Sequence, residues 1–244
     1  NLSRIANEHS MIYGGGSIVG WPSFSLPGHV SVHTGTHQGT HGMYSNQFWN
    51  RTEQTIAPTD QGLIALLLPD NAQLAIDAME KYLNPDIETI FEAINRSFPQ
   101  SQTASINELI FRGATWCQFC AEQQRSLFQY ETADAWGVLQ IQQLFEEIDP
   151  PKYLAFSFYL TDGTGEAHGP HATQTRQALI DTDERLGMIL DLYEQSGIFD
   201  QTLFVFTADH GMALQDPSRI HQIDLHEFPI QTMGQLIYLN DNLE

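Results

Sequence analysis

Two short apolar runs in the second half of the chain each end in polar residues. Residues 152–160 and 202–208 are rich in aromatic and aliphatic side chains and too short for typical helices, so each predicts a buried strand. Between them, residues 172–196 carry an apolar stripe at helical spacing, and Gly197 suits the position just after a helix end. Strand, helix and strand in this order predict a βαβ unit with parallel strands. A further strand is predicted at residues 235–239.

Acidic residues follow both strands of the predicted βαβ unit. Asp162 comes just after the first strand, and Asp209 and His210 come directly after the second. Because parallel strands end at the same edge of a sheet, we expect Asp162 to lie near Asp209 and His210. Open α/β sheets place their active sites at this edge.

Residues 55–149 are more polar than the two strand segments and contain several prolines. Their apolar residues are mostly at helical spacing. Residues 103–108 are the one candidate strand that we identify within this region. We expect this region to form a scaffold or lid. At 244 residues the chain is long enough for one α/β domain, and the predicted fold is a central, mostly parallel sheet with helices on both faces.

The charge balance excludes some classes of partner. The formal net charge of −20 reflects scarce base, with ten Lys and Arg in total, so we expect no binding to nucleic-acid polymers. Bound cations would have to supply positive charge for an anionic substrate. No apolar run approaches the length of a membrane span. The first residue is Asn, which leads us to expect that the sequence begins inside a longer protein.

The residues that follow the two strands suggest a metal site. Asp162 and Glu166 form an i, i+4 carboxylate pair, and His168 comes two residues later. With Asp209 and His210 they form a plausible two-metal cluster of oxygen and nitrogen ligands, a type of site that suits in-line displacement at phosphorus. The alternative is a polar loop that begins the helix predicted from residue 172.

A candidate nucleophile lies in residues 21–29, which contain two serines. A serine hydroxyl needs a base or a metal to become a strong nucleophile. No G-x-S-x-G elbow is present, which argues against an α/β-hydrolase. Histidines recur every four residues from His29 to His41, but Gly35 and Gly39 disfavour a continuous helix there, so we infer no metal stripe from this spacing.

Several of these motifs together resemble the type I phosphodiesterase/nucleotide pyrophosphatase family of the alkaline phosphatase superfamily. Residues 22–29 read Pro-Ser-Phe-Ser-Leu-Pro-Gly-His and are followed by Thr-Gly, His-Gly and Asn46, which is similar to the family's nucleophile block without a gap. Tyr-Leu-Thr-Asp at 159–162, Asp-Thr-Asp-Glu-Arg-Leu-Gly at 181–187 and Thr-Ala-Asp-His-Gly-Met at 207–212 extend the similarity over nearly the whole chain.

The resemblance implies a role for each matching residue. Ser25 takes the place of the family's nucleophilic threonine, and Asn46 would bond to a phosphoryl oxygen. Asp209 and His210 would hold the metal that activates the nucleophile, and Asp162 would ligate a second metal. The resemblance implies that both ions are zinc, and that the fold is alkaline-phosphatase-like.

The chain also departs from the family pattern. The family's leading metal-ligating Asp and its closing His have no match, so we expect a truncated domain that binds metal poorly by itself. Glu166 stands where the family has His, which leaves either Glu166 or His168 as the ligand, and Gly28 stands where the family has Asn. His221 and His226 could supply the closing ligand, although a surface loop suits them better.

The resulting hypothesis is a metal-dependent hydrolase of phosphodiester or pyrophosphate bonds with a serine phospho-enzyme intermediate, acting on a small phosphorylated substrate. A phosphomonoesterase or phosphonate hydrolase of the same superfamily is the first alternative. His29 stands where a sulfatase needs Arg, which disfavours that activity. A non-catalytic member that binds metal or ligand is the second alternative. The resemblance also suggests an exported protein, and the sequence leaves the oligomeric state open.

Overall fold

The computed structural model describes residues 1–8, 10–57, 81–118, 130–214, 218, 230–233 and 236–239. The chain divides into two compact units. The first unit is Asn1–Val19 with Thr89–Ala208, and the second unit is Gly20–Glu88 with Asp209–Glu244. In the described ranges, no helix combines the length and apolar character that a bilayer crossing requires.

The helices and strands are numbered in chain order. They are α1 (Leu2–Glu8), α2 (Ser25–Thr34), α3 (Gln38–His41), β1 (Phe48–Asn50), β2 (Thr55–Ala57), α4 (Ile90–Ser97), β3 (Thr103–Ile106), β4 (Trp116–Gln118), α5 (Tyr130–Glu147), β5 (Tyr153–Phe156), α6 (Leu160–His168), α7 (Thr173–Gln195), β6 (Ile230–Met233) and β7 (Leu236–Leu239), with a 3-10 turn at Phe199–Gln201.

A parallel sheet forms the centre of the first unit. Its described strands lie in the order β4-β3-β5, and β3 runs parallel to both neighbours. All four residues of β3 are buried, as expected for a central strand covered on both faces. The predicted α/β class with a parallel sheet is confirmed, and β3 is the strand expected within residues 103–108.

Helices cover both faces of this sheet. Ala104 and Ile106 of β3 join buried side chains of α5 and α7 in one apolar core. Side chains alternate along a strand, so Thr103 and Ser105 face the other way. On that side Thr103 bonds to Asn95 of α4, and Phe91 of α4 meets the Tyr153 ring of β5 edge to face at 5.1 Å.

Residues close in sequence define the start of α4 and the end of α7. Thr89 and Glu92 form a reciprocal capping box that satisfies backbone N–H groups at the start of α4. Gly197 follows the end of α7 with a positive φ of 68°, which confirms the predicted stop. Within the described part of residues 55–149, α4 and α5 are helical, but the region also supplies β3 and β4 to the sheet. The expectation of a scaffold or lid stays a prediction.

The prediction of a buried strand at residues 202–208 is wrong. These residues belong to no strand, and Leu203 and Val205 are 87% and 73% exposed. Phe204 packs against the core of the first unit, with its ring 5.0 Å from that of Tyr193. The apolar run signals β propensity, but a strand also needs a hydrogen-bonding neighbour, and no described residue pairs with this segment.

The strand predicted at residues 152–160 is shorter than expected, and a helix replaces its end and the following loop. β5 ends at Phe156 and α6 begins at Leu160. The reason lies in Asp134 of α5, which is fully buried and accepts the backbone N–H groups of Tyr159 and Leu160 at 2.8 and 3.2 Å. This carboxylate caps the N-terminus of α6 from a distant part of the chain.

The second unit contains α2, α3 and two antiparallel strand pairs, β1 with β2 and β6 with β7. β7 confirms the strand predicted at residues 235–239. α2 ends just before Gly35, which has a positive φ of 66°, so no continuous helix carries the recurring histidines, as expected. His29 and His33 lie on α2, His37 precedes α3, and His41 ends α3.

His41 anchors α3 to α2. Its side chain is fully buried, its Nδ1 accepts the N–H of Met43, and its Nε2 donates to Ser31 Oγ at 3.1 Å. Both ring nitrogens are therefore used in the neutral form. Burial and, to a lesser extent, the charge of His37 lower the pKa of His41 from 6.5 to about 4.

We predict that Asp134→Ala destabilises the first unit strongly. Two backbone donors at the start of α6 lose their acceptor, at a cost of about 1–3 kcal/mol each when buried donors stay unsatisfied. Chemical denaturation measures the free energy of unfolding. Asp134→Asn keeps one carbonyl acceptor, so its free energy of unfolding should fall less. Asp149 is exposed, and Asp149→Ala should be as stable as the wild type. Equal losses in Asp134→Ala and Asp149→Ala would contradict the capping role.

The His41 pKa predicts how stability depends on pH. Between pH 6.5 and about 4 the unfolded chain takes up a proton at His41 that the folded chain excludes. Stability from His41 is therefore complete above pH 6.5 and falls as pH drops, by at most about 1.4 kcal/mol per pH unit. The pH profile of the unfolding free energy should be shallower over this window in His41→Gln than in the wild type. His171→Gln, an exposed control, should keep the wild-type slope.

Candidate active site

Ser25 is the first residue of α2. Phe24 before it is extended, with φ −108° and ψ 159°, and the next residues turn into the helix. Pro27 fits in the first turn because its missing N–H would have no partner within the helix. The N-terminal end of a helix carries partial positive charge, which favours an anionic group at this serine.

Asn46 stabilises the same helix end. Its Oδ1 accepts the backbone N–H of Leu26 at 2.9 Å, one of the N–H groups that a helix cannot satisfy internally. With Oδ1 engaged in this bond, the amide Nδ2 is the donor end of the Asn46 side chain. The residue that the sequence assigns to a phosphoryl oxygen therefore bonds to the helix one residue beyond Ser25.

The Ser25 hydroxyl meets His210 directly. Ser25 Oγ lies 3.0 Å from His210 Nε2, and His210 Nδ1 lies 3.1 Å from the carbonyl oxygen of Gly211. A carbonyl can only accept, so Nδ1 carries the proton and Nε2 of the neutral ring presents its lone pair to Ser25. This tautomer suits either a hydrogen-bond acceptor or a metal ligand.

The carboxylate of Asp209 approaches the same ring nitrogen. Its Oδ2 lies 3.2 Å from His210 Nε2. In a Ser-His-Asp triad the carboxylate bonds to the other ring nitrogen, so this arrangement is not a triad. Here the hydroxyl, the carboxylate oxygen and the imidazole lone pair converge on one region, which is the chemistry of a cation site.

The spacing of these donors fits one divalent ion. Two ligands of a tetrahedral zinc with bonds of about 2.0 Å lie about 3.3 Å apart. The Ser25–His210 and Asp209–His210 separations, 3.0 and 3.2 Å, are close to this edge length. These distances are compatible with Asp209 and His210 as ligands of one ion, which stays a prediction. Within the described residues, no group of three or more His, Cys, Asp or Glu side chains could hold a metal ion.

Sequence reasoning missed the contact of Gly28 with Asp209. A Cβ atom at Gly28 would lie 2.6 Å from the Asp209 carbonyl oxygen, a distance that real Cβ atoms do not adopt. At Gly211, by contrast, a Cβ would meet nothing within 4 Å, so a close backbone approach occurs at Gly28 and not at the glycine of the Asp-His-Gly motif. A glycine beside a proline is equally typical of a turn, so the sequence carries no signal that reveals this packing role.

The other predicted metal ligands lie in the first unit, on α6. Asp162 and Glu166 are four residues apart and share one face of the helix. His168 is two residues beyond Glu166, which turns it by about 200° around the helix axis. Helical phase therefore separates His168 from the carboxylate pair and favours Glu166 as the companion of Asp162.

Tyr130 lies beside the carboxylate pair. Its ring occupies the space next to Gly163, where a Cβ would overlap it. Burial, then the charges of Glu166 and Asp162, raise the pKa of Tyr130. A groove of about 370 Å³ next to these residues is lined by Tyr130, Leu160, Thr164 and His168, among others.

The predicted site residues fall into two groups. The structure brings together Ser25, Asn46, Asp209 and His210, all in the second unit. The remaining predicted ligands, Asp162, Glu166 and His168, belong to the first unit, and the expected proximity of Asp162 to Asp209 stays a prediction. Both candidates for the closing ligand lie outside the described residues, namely His221 and His226.

Comparison with proteins of known sequence gives distant relatives. The ectonucleotide pyrophosphatase/phosphodiesterase family member 7 of Rattus norvegicus is 21% identical over 209 residues, which cover 85% of this chain and 44% of that protein. The Homo sapiens protein of the same name is also 21% identical and is covered over 42% of its length. The chain thus spans less than half the length of these curated relatives.

Comparison with solved structures gives the same fold. Murine ectonucleotide pyrophosphatase/phosphodiesterase 5 matches with a TM-score of 0.52 and 14% identity over 72% of this chain and 43% of that chain. An inactive threonine-to-alanine variant of the murine protein, in complex with AMP, matches with a TM-score of 0.51, 14% identity and 72% and 42% coverage.

The family assignment follows from a match over nearly the whole chain. The family model for type I phosphodiesterase/nucleotide pyrophosphatase matches residues 1–242, in agreement with the motifs around Ser25, Asp162 and Asp209. The solved structures share the alkaline-phosphatase-like architecture of helices around a parallel sheet. The chain belongs to the type I phosphodiesterase/nucleotide pyrophosphatase family.

Proposed function

We propose that this protein is a metal-dependent hydrolase of phosphodiester or pyrophosphate bonds, with Ser25 as its nucleophile. One observation carries the proposal. Ser25 Oγ lies 3.0 Å from His210 Nε2, and the Asp209 carboxylate lies 3.2 Å from the same nitrogen. A nucleophile and two metal-ligating side chains thus meet at the N-terminus of a helix, which favours phosphoryl groups.

The chemistry of Ser25 requires two displacements. Ser25 Oγ attacks phosphorus in line, its bond to phosphorus forms, and the bond between phosphorus and the leaving oxygen breaks. The proton that the Ser25 hydroxyl gives up ends on the leaving oxygen. Water then attacks the phosphoserine, the bond between phosphorus and Ser25 Oγ breaks, and the hydroxyl is regenerated with a proton from the water. Asn46 Nδ2 donates a hydrogen bond to a nonbridging oxygen of the phosphoryl group, whose negative charge grows in the transition state.

Asp209 and His210 are the residues that would hold the activating metal. Asp162, with Glu166 or His168, would hold a second one. Zinc at these residues would lower the pKa of the serine hydroxyl and neutralise charge on the phosphoryl group. The Nδ1–H bond from His210 to the Gly211 carbonyl holds the ring so that Nε2 keeps its lone pair for this role.

The substrate class is proposed from family membership and from the site. The murine structure in complex with AMP supports a nucleotide among the small phosphorylated substrates. The scarcity of Lys and Arg argues against nucleic-acid polymers as substrates. Export of the protein is likewise a proposal, which rests on the resemblance.

Activity and the identity of the nucleophile can be tested together. The complete natural protein should hydrolyse bis-(p-nitrophenyl) phosphate in the presence of zinc, and EDTA should abolish the activity. Ser25→Ala should lower kcat by at least about 10³-fold because no other group replaces the attacking oxygen. Ser25→Thr should retain activity, since it restores the hydroxyl that the family uses. Acid quenching followed by mass spectrometry should find the phosphoryl adduct on the peptide that contains Ser25.

Three outcomes separate the alternatives. Faster zinc-dependent turnover of mono- than of bis-(p-nitrophenyl) phosphate would identify a phosphomonoesterase. Zinc binding without turnover of either ester would identify a non-catalytic member. Activity that survives both EDTA and Ser25→Ala would contradict the proposed mechanism.

The two roles of Asn46 can be separated by a matched pair of variants. Asn46→Asp keeps an oxygen acceptor for the Leu26 N–H but loses the amide donor, so kcat should fall about 10²-fold while thermal stability stays near the wild type. Asn46→Ala loses both functions and should also lose about 1 kcal/mol of stability. Full activity in Asn46→Asp would show that the amide does not serve the phosphoryl group.

A further inference from the structure

One face of α2 contacts the Asp209–His210 segment at three positions. Ser25, Gly28 and His29 are related by i, i+3 and i+4 spacing and therefore lie on the same side of the helix. Ser25 meets His210, and both Gly28 and His29 meet Asp209. The two residues beyond Ser25 have no place in the mechanism described above.

Gly28 determines how closely the backbone of Asp209 approaches α2. A methyl group at this position would lie 2.6 Å from the Asp209 carbonyl oxygen and 3.1 Å from its Cβ. The first of these atoms belongs to the backbone, so it cannot move aside as the end of a flexible side chain could. Any side chain at residue 28 must therefore displace Asp209 or α2.

His29 faces the carboxylate of the same residue. His29 Nε2 lies 3.6 Å from Asp209 Oδ2, and the two side chains are only 13% and 23% exposed. The distance is too long for a hydrogen bond but close enough for an electrostatic contact that water screens weakly. Asp209 Oδ2 thus lies near two imidazole nitrogens, that of His29 at 3.6 Å and that of His210 at 3.2 Å.

We propose that Gly28 and His29 are positioning residues that hold Asp209 at the distance and orientation required next to Ser25. Gly28 does so by admitting the Asp209 backbone against the helix, and His29 does so by fixing the rotation of the Asp209 carboxylate. Side chains that orient a metal ligand in this way commonly affect metal affinity and activity by about 10–100-fold when changed. The proposal rests on the proposed function, in which Asp209 is a metal ligand.

The contact itself can be tested without metal or activity. In EDTA, the unfolding temperatures of the wild type, His29→Ala, Asp209→Asn and the double variant form a thermodynamic cycle. If His29 contacts Asp209 as described, the effects of the two single changes are not additive. Additive shifts in unfolding temperature would show that His29 and Asp209 do not interact. Gly28→Ala should lower the unfolding temperature even though alanine is the better helix former.

The positioning role is tested by zinc affinity and by steady-state kinetics. Competition with a chromogenic chelator should show about 10–100-fold weaker zinc binding in His29→Ala, with a matching fall in kcat for bis-(p-nitrophenyl) phosphate and a KM changed less than about threefold. His29→Gln, whose amide nitrogen reaches a similar distance, should restore most of both. His171→Ala serves as the matched control, because this histidine is exposed and outside the site.

The possible results are distinguishable. Wild-type zinc affinity and kcat in both His29 variants would overturn the positioning role while leaving the proposed function intact. A wild type that neither binds zinc nor hydrolyses an ester would instead contradict the proposed function, and the cycle in EDTA would still decide the contact. If His29→Ala fails to fold, His29→Leu fills the same space without a ring nitrogen. Weaker zinc binding in His29→Leu than in His29→Gln would then support the positioning role, and equal zinc binding in the two variants would overturn it.

Discussion

The candidate active site depends on the close contact between the first turn of α2 and the backbone of Asp209. This contact exists only because residue 28 has no side chain. Once the two segments touch there, helical spacing places Ser25 one turn before Gly28 and His29 directly after it. The serine hydroxyl consequently owes its position next to His210 to a helix, which holds a side chain more rigidly than a loop does.

Two further interactions keep α2 in place. At its start, Asn46 satisfies the backbone N–H of Leu26 from the segment before β1. Near its end, Ser31 bonds to the buried ring of His41, whose other nitrogen is held by the Met43 backbone. Both Asn46 and His41 are among the polar residues of the nucleophile block. The block therefore carries the parts that hold the nucleophile as well as the nucleophile itself.

Local signals in the sequence predicted the parts of the fold that depend on them. The long helix α7 and its stop at Gly197, the central strand β3 and the strand β7 were all visible as apolar spacing and glycine punctuation. Residues 202–208 show the limit of this reasoning, because β propensity does not reveal whether a neighbouring strand exists. The start of α6 shows another limit, since its cap, Asp134, comes from α5 rather than from the adjacent sequence.

The candidate site also has parts that the sequence predicts and parts that it does not. The resemblance to the family predicted that Ser25, Asn46, Asp209 and His210 act as one group, and these residues lie together in the second unit. The role of Gly28 was not predictable, because a glycine next to a proline carries the same signal whether it makes a turn or admits a neighbouring backbone. His29 was hidden by its regular spacing with three other histidines, only one of which shares its helix.

The replacement of the family's His by Glu166 alters the electrostatics of α6. Like charges at i and i+4 repel each other and destabilise a helix by about 0.2–0.5 kcal/mol, so Asp162 and Glu166 cost stability wherever no cation lies between them. Both carboxylates raise the pKa of Tyr130, although burial raises it more, so both charges lie near this ring. A divalent ion would remove this repulsion, and the net positive charge of the resulting site would be lower than with an imidazole ligand.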